Sequence, residues 1–334
     1  MKPVTIADVA KYAEVSKSTV SQYLNQRYDY MGEKTKKRIE EAIKELGYSP
    51  NIVARSLKQK STMTIGVIVA NILHVFSTQV IRAIEDYCNK SDFHIIVCNA
   101  DDDPAKEKRY IDMLRAKQVD GIIAFPTGDN VELYNRLIKD DYPIVFIDRN
   151  VSDVPISTVM LDNEKASRLA IDEFVKKGYR NIAMFTPPLK RDINPRVERI
   201  KGYKEGLKKH NLSFHSKYLV SGEISELQGK MDEILQGSNH LDAILAMNDR
   251  VLFEILKYAK ANQLRIPEDF ALIGIDDVSF ASFYSPALTT IAQPAFEMGK
   301  KAAELLLEKI KNKDMTCNYE IHRFEPELVV RSSC

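Results

Sequence analysis

The sequence predicts a small all-helical module at the N-terminus followed by a larger α/β core of two similar subdomains. Three observations carry this prediction. The first fifty residues hold three amphipathic stripes at helical spacing, the remainder alternates short β-rich runs with helical stripes, and the excess positive charge is confined to the first sixty residues. Residues 1–60 contain 12 Lys and Arg against 7 Asp and Glu, while the other residues of the 334 contain 36 against 40. A basic module on a slightly acidic body points to a polyanion-binding element attached to a domain with another task.

In TIADVAKYA, the apolar positions Ile6, Val9, Ala10 and Ala13 recur at helical spacing, and Thr5 with Asp8 forms a capping-box variant. A tight turn, AEV, leads to Ser16 as N-cap of a second short helix. There Val20 and Leu24 face one side and Lys17, Ser18, Ser21, Gln22 and Asn25 face others. A third stripe, Ile39, Ala42, Ile43 and Leu46, lies between Gly32 and Gly47, with Pro50 beyond, and predicts a helix of about four turns. Two helices on so short a turn, the second of them polar, match the helix-turn-helix plan. That geometry assigns Lys17, Ser18 and Gln22 to base edges in the major groove of double-stranded DNA, and Thr5, Ser16, Thr19, Ser21 and Asn25 to phosphates. A plain helical hairpin with solvated polar positions has the same spacing. The following segment favours the DNA reading. Residues 51–58 suit a helix too short to stand alone in water. Its Ala54, Arg55 and Leu57 suit a minor-groove contact, with Leu57 as an apolar wedge, that folds only on DNA beside a second copy. The alternative for this stretch is a flexible linker with incidental charges. The module thus spans residues 1–49 and the hinge 50–60.

From residue 61 the runs TIGVIVA, HIIVCNA, GIIAFP, PIVFID, NIAMFT, AILAM and ALIGID alternate with helical stripes, which predicts parallel sheets covered by helices on both faces. Seven strands over this length are too many for one core. A division near residues 157–163 gives a first subdomain of about 61–158 with a returning segment near 290–320, and a second of about 159–289 with the C-terminal segment. Ligands of open α/β sheets bind beyond the carboxyl ends of the strands. Asn71, Asp101 and Asp102, Asp148 and Arg149, Asn248 and Asp249, and Asp276 and Asp277 all stand at such ends. Turns favour Asp and Asn for structural reasons alone. Gathered on one cleft with Arg196, Arg199 and the apolar wall of Phe76, however, Asn71, Asp148, Asn248 and Asp276 form a donor and acceptor set suited to hydroxyls, as in sugars.

Other classes fit poorly. No apolar run reaches the ~20 residues of a membrane span, and the charged N-terminus holds no secretory signal, so the expected compartment is the cytoplasm, with no membrane partner. Cys88, Cys98, Cys317 and Cys334 form no C-x-x-C pair and no zinc spacing. No phosphate-loop, dinucleotide, zinc-protease or nucleophile-elbow motif is present, so no catalytic residue, metal or cofactor is expected. The adjacent carboxylates Asp101 and Asp102, or Asp276 and Asp277, are expected to diverge rather than flank one bond.

TIADVAKYAEVSKSTVSQYLN, ELGYSPN and ARSLKQKSTMTIGVIVAN together resemble the lactose-repressor (LacI/GalR) family of bacterial transcription regulators over essentially the whole chain. Two positions depart from the family pattern: Glu14 replaces the usual turn glycine, and Gln22 an arginine often found on the recognition helix. Glutamine pairs naturally with adenine, so the preferred bases differ. The resemblance implies a core like that of periplasmic sugar-binding proteins, ligand contacts at Phe76, Arg199, Asn248 and Asp276, and a homodimer on a pseudo-palindromic operator. Arg199 fits the R-x-x-G spacing, and Arg196 stands close enough to share its role. The family's tetrameric members carry a leucine heptad extension, whereas this chain ends at LVVRSSC, so a dimer is expected. SKSTVSQYLN is similar to regulators of sugar-acid catabolism within the family, and KRDINPRVER is rich in cations. The implied function is a repressor of carbohydrate catabolic genes controlled by a small sugar or a sugar acid of the 2-keto-3-deoxygluconate type. The alternatives are control by a nucleobase or a partner-protein corepressor, and, more remotely, a carbohydrate receptor or an enzyme on an α/β fold.

Overall fold

The computed structural model describes residues 4–29, 31–49, 61–189, 193–236, 240–312 and 319–334, and the chain divides into two units, Met1–Thr62 and Met63–Cys334. Ala54, Arg55 and Leu57, expected in the minor groove, lie outside the described residues, as do Cys317 and the cations Lys190 and Arg191.

The first unit is built of α1 (Ile6–Tyr12), α2 (Lys17–Leu24) and α3 (Glu33–Leu46). The apolar stripes meet in one core of Val9, Ala10, Ala13, Val20, Ile39 and Ala42, ringed by Ile6, Leu24, Ile43 and Leu46. At the start of α1 the Asp8 carboxylate accepts the Thr5 amide at 2.8 Å. The Thr5 hydroxyl donates to the same oxygen at 2.7 Å instead of accepting a helix amide, so half of the capping box is made. Both α1 and α3 end in the same motif. After α3, Gly47 at φ 59° lets the Tyr48 amide reach the Ile43 carbonyl at 3.0 Å. After α1, Glu14 at φ 48° lets the Val15 amide reach the Ala10 carbonyl at 3.0 Å. The left-handed conformation disfavours a side-chain-bearing residue. The turn nevertheless keeps this geometry without glycine, and Arg38 of α3 contacts the Glu14 carboxylate at 2.8 Å.

The second unit contains two six-stranded sheets. The first has the order β11-β5-β4-β3-β1-β2 and is parallel throughout. Its strands are β1 (Thr64–Val69), β2 (His94–Asn99), β3 (Gly121–Ala124), β4 (Ile144–Ile147), β5 (Thr158–Leu161) and β11 (Ile321–Phe324). Helices α4 (Val75–Asn89), α5 (Pro104–Ala116), α6 (Val131–Lys139) and the later α11 (Ala295–Lys311) accompany it. The second sheet has the order β12-β10-β9-β8-β6-β7, parallel except for the edge pair β10–β12. Its strands are β6 (Ile182–Thr186), β7 (Leu219–Ser221), β8 (Ala243–Ala246), β9 (Ala271–Ile275), β10 (Thr289–Ala292) and β12 (Glu327–Val329), with helices α7 (Asn163–Lys176), α8 (Asn194–Lys209), α9 (Leu227–Gln236) and α10 (Asp249–Ala261). The seven expected strands are all present. The five further strands are three or four residues long, and three of them carry exposed or half-buried side chains at sheet edges, so no unbroken apolar run marks them.

The chain crosses between the lobes three times, after β5, between β10 and α11, and between β11 and β12. The first lobe runs through Leu161 rather than 158, because β5 pairs with β4. Its returning segment begins after β10, which belongs to the second sheet, and continues through Phe324. The central strands are buried on both faces, as doubly covered sheets require. Among the described residues no helix is long and apolar enough to cross a membrane.

Candidate functional site

On the helix-turn-helix unit, Lys17 and Ser18 in the first turn of α2 and Gln22 in its second half are exposed, while Val20 is turned into the core. The Ser16 hydroxyl caps α2 by accepting the Thr19 amide at 3.1 Å and lies 2.6 Å from the Ser18 hydroxyl. A hydroxyl both donates and accepts, so the cap leaves hydrogen-bonding capacity in the cluster. Thr5 and Asn25 are exposed at the two ends of this surface, and Ser21 and Thr19 are half-buried. The Asn25 amide group donates to the Ser21 carbonyl at 2.6 Å.

In the second unit, the carboxyl ends of the strands of both sheets face one cleft. It encloses about 560 Å³ including its open mouth, and Asn71, Phe76, Asp148, Arg196, Arg199, Asn248 and Asp276 all line it. Each arrives from a different element. Asn71 follows β1 and accepts the Leu73 amide at 2.9 Å. Phe76, in the first turn of α4, packs edge-on against Phe125, the residue after β3, with ring centres 6.3 Å apart. Asp148 follows β4 at φ 68°. Asn248 is the N-cap of α10 and accepts the Val251 amide at 3.0 Å. Asp276 follows β9 and is buried. It accepts from the Gln293 side chain at 2.5 Å and from the Asp249 amide at 3.1 Å.

The guanidinium groups come from one helix and one strand end. Buried Arg199 of α8 donates through Nε to Asn163 Oδ1 at 2.8 Å and through Nη1 to the Met247 carbonyl at 2.7 Å. Arg196, one turn earlier, donates to the Pro188 carbonyl at 2.8 Å and stands 3.7 Å from Asp102 of the first lobe. Burial and the neighbouring positive charge of Arg149 both lower the Arg196 pKa. Arg149 itself is buried and contacts Asp102 at 2.6 Å and Asp148 at 3.3 Å. Burial opposes its charge, but the two carboxylates outweigh that and raise its pKa. Burial likewise pushes the Asp102 carboxyl up, and the Arg149 and Arg196 charges overcome it, so the group ends below the ordinary range.

A second pairing spans the cleft. His74, at the start of α4, contacts Asp249 at 2.5 Å, and the Val75 amide donates to the other Asp249 oxygen at 2.8 Å. Burial opposes ionisation of Asp249, yet the His74 contact and the Val75 and Arg250 amides outweigh it and lower its pKa. Its neighbour Asp276 shifts the opposite way, raised by burial and then by the Asp249 charge. One carboxylate thus holds its charge firmly and the next is reluctant to ionise, the usual division when two acids share a buried site.

Sequence reasoning named all seven lining residues: four at strand-end turns, Arg199 on R-x-x-G with Arg196 beside it, and Phe76 as an apolar wall. It passed over His74, Gln293, Ser77 and Phe125, which also line the cleft. His74 and Ser77 sit in the loop and first turn after β1, and Gln293 sits in the β10–α11 crossover, where nothing in a single sequence marks them. The adjacent acids do diverge. Asp101 pairs with Lys106 on the surface while Asp102 turns to Arg149 and Arg196, and Asp277 pairs with Arg331 at 2.8 Å while Asp276 faces inward.

The chain matches the model for bacterial regulatory proteins of the lacI family over residues 5–51 and that for a periplasmic binding protein-like domain over residues 171–334. It is 50% identical over 332 residues, 98% of each chain, to the probable HTH-type transcriptional regulator EndR of Paenibacillus polymyxa. It is 35% identical to the HTH-type transcriptional regulator KdgR of Bacillus subtilis, over 92% of this chain and 91% of that one. Among solved structures it is similar to the Lac repressor bound to ONPG, with a TM-score of 0.86 and 26% identity over the full length of both chains. It is also similar to a transcriptional regulator CelR–cellobiose complex, with a TM-score of 0.73 and 26% identity over 99% of this chain and 100% of that one. Helix-turn-helix module and two-lobed core therefore occur together in relatives that match from end to end, and the chain belongs to the lacI family of bacterial regulatory proteins.

Proposed function

We propose that the protein is a homodimeric, operator-binding repressor of carbohydrate catabolic genes whose DNA affinity is set by a small sugar or sugar acid bound in the core cleft. The observation that carries this reading is the convergence of carboxylates, amides and three guanidinium groups from both lobes onto one cleft walled by Phe76 and Phe125. Carboxylates accept from hydroxyls, guanidinium groups donate to them, and aromatic rings take the apolar face of a pyranose. Because residues from both lobes line the cleft, a ligand there favours one angle between them. It shifts operator affinity only by its differential affinity for the two states.

On the DNA side, Lys17, Ser18 and Gln22 read base edges in the major groove, and Thr5, Ser16, Thr19, Ser21 and Asn25 hold phosphates. Two copies then occupy successive grooves of a two-fold symmetric site. The exposure of Lys17, Ser18 and Gln22 on α2, with Thr5, Ser16 and Asn25 exposed at helix ends, supports the assignment.

The test is a thermal-shift screen of the purified chain against neutral sugars, sugar acids, sugar phosphates and nucleobases, with Arg199→Met alongside. A ligand at one hundred times its Kd stabilises by about 2.7 kcal/mol. Stabilisation by a sugar or sugar acid, lost in Arg199→Met, is the expected result. Stabilisation by nucleobases alone would move the effector class, and none in any class would return the cleft residues to purely structural turns. Selection from random duplexes should in parallel enrich inverted repeats, with binding that falls steeply with salt.

A further inference from the structure

Arg199 is held by a chain of hydrogen bonds that runs away from the cleft. Its Nε–H donates to Asn163 Oδ1, and the Asn163 amide group donates to Glu198 Oε2 at 3.2 Å and to the Leu161 carbonyl at 3.3 Å. Glu198 in turn accepts two bonds from Arg323, at 3.0 and 2.7 Å. A further Arg323 nitrogen contact reaches the Leu161 carbonyl at 3.2 Å. Asn163 and Arg199 are both buried. Among the described residues Arg199 has no carboxylate within salt-bridge distance, so its orientation depends on neutral acceptors, Asn163 and the Met247 carbonyl.

The chemistry of this chain runs one way only. Arg199 Nε is a donor, so it requires an oxygen from Asn163, and Glu198 and the Leu161 carbonyl are acceptors, so they require the amide nitrogen. Neither aspartate nor a flipped amide satisfies both sides. The positions of the partners matter as much. Asn163 opens α7 immediately after the first crossover between the lobes, and Arg323 lies on β11 of the first sheet, just before the third crossover. Glu198 shares α8 with Arg199. Two of the three crossovers thus meet at the residues that orient a guanidinium group on the cleft wall.

We propose that Asn163 is the positioning residue for Arg199 and that Glu198 and Arg323 tie it to the lobe crossovers, so that the hold on Arg199 is coupled to the angle between the lobes. The ligand-related meaning rests on reading the cleft as the effector site, but the positioning itself is testable without a ligand. The full chain labelled with ¹⁵N-arginine gives an Arg199 Nε–H signal, assigned by its loss in Arg199→Lys. Asn163→Ala should speed hydrogen exchange at that group about tenfold, the effect of losing one hydrogen bond. Arg323→Gln, on the other sheet, should speed it about threefold through the coupled network. Asn163→Asp keeps the acceptor for Arg199 but sets two carboxylates against each other, and should lower the Tm. Its Arg199 Nε–H signal should stay slow because the acceptor is kept, whereas Asn163→Leu, of similar size but without the acceptor, should speed exchange about tenfold, which decides the matter even where Asn163→Ala does not fold.

Unchanged Arg199 exchange in Asn163→Ala or Asn163→Leu, or exchange in Asn163→Asp as fast as in those variants, would overturn the positioning role. Unchanged exchange in Arg323→Gln would overturn the link between lobes. A chain that no sugar stabilises would instead overturn the effector reading while leaving these exchange results intact.

Discussion

Replacing Gly202 by alanine is expected to disable the cleft without touching it. Gly202 lies on α8 where it crosses α7, and a Cβ added there would stand 2.1 Å from the Glu164 carbonyl oxygen and 2.7 Å from the Glu164 Cα. Both are backbone atoms of α7, so no side-chain rotation relieves the overlap. The helices must part by roughly 1 Å to reach ordinary contact in an interior packed this densely. Gly206, one turn on, would meet Ile171 at 2.9 Å and already marks a close approach. The same displacement stretches the Arg199–Asn163 bond from 2.8 Å past the limit of a hydrogen bond, because the two partners sit on the two separating helices. Overpacking of this kind costs about 1–3 kcal/mol, and a backbone clash belongs at the upper end. At 2–4 °C per kcal/mol for a unit of this size, the Tm should fall by roughly 6–12 °C. Calorimetry measures the fall, and the Arg199 Nε–H signal reports the lost bond. A Gly202→Ala variant that melts within about 2 °C of the parent and keeps that signal would refute the packing argument.

Asp276→Asn should stabilise the core at neutral pH, because its oxygen can keep the Asp249 amide while Gln293, whose Oε1 is unpartnered, turns over to accept its nitrogen. Burial and Asp249 raise the Asp276 pKa, so the stability this group contributes is present at low pH and lost as pH rises through its folded pKa. The asparagine escapes that loss, and its Tm advantage should shrink as pH is lowered toward 4. A variant less stable than the parent at pH 8 would contradict the direction. Glu107→Gln should cost about 2–4 kcal/mol, because the fully buried Glu107 accepts from the Thr127 amide and hydroxyl, Asn130 and Tyr134, and an amide nitrogen would oppose at least one obligate donor. Denaturant melts test this, and a loss below about 1 kcal/mol would show that the site repacks. Gln22→Ala should weaken binding to a selected duplex by about 1–3 kcal/mol and relax preference at one base pair. Uniform weakening across all sequences would instead make Gln22 a phosphate contact.

The three N-terminal helices were legible because Val9, Val20 and Ile39 recur among polar neighbours at a helical period that no other local structure satisfies. Central strands such as TIGVIV were legible because a strand buried on both faces needs an unbroken apolar run. Asn71, Asp148, Asn248 and Asp276 stood out because turns at strand ends favour those residue types, and the R-x-x-G spacing marked Arg199. The short edge strands β7, β11 and β12 carried no such period and depend on their neighbours for definition. Which acids face the cleft and which pair on the surface was decided by tertiary packing, since adjacent residues such as Asp276 and Asp277 have the same local signal and opposite surroundings. His74 opposite Asp249, Gln293 on Asp276, and Asn163 between Arg199 and Glu198 join residues from 17 to 175 positions apart. Local propensity reaches only a few residues along the chain. The His74–Asp249 pair exists only once the crossovers have brought the two lobes together, and the other two only once strands or helices distant in the chain have packed side by side.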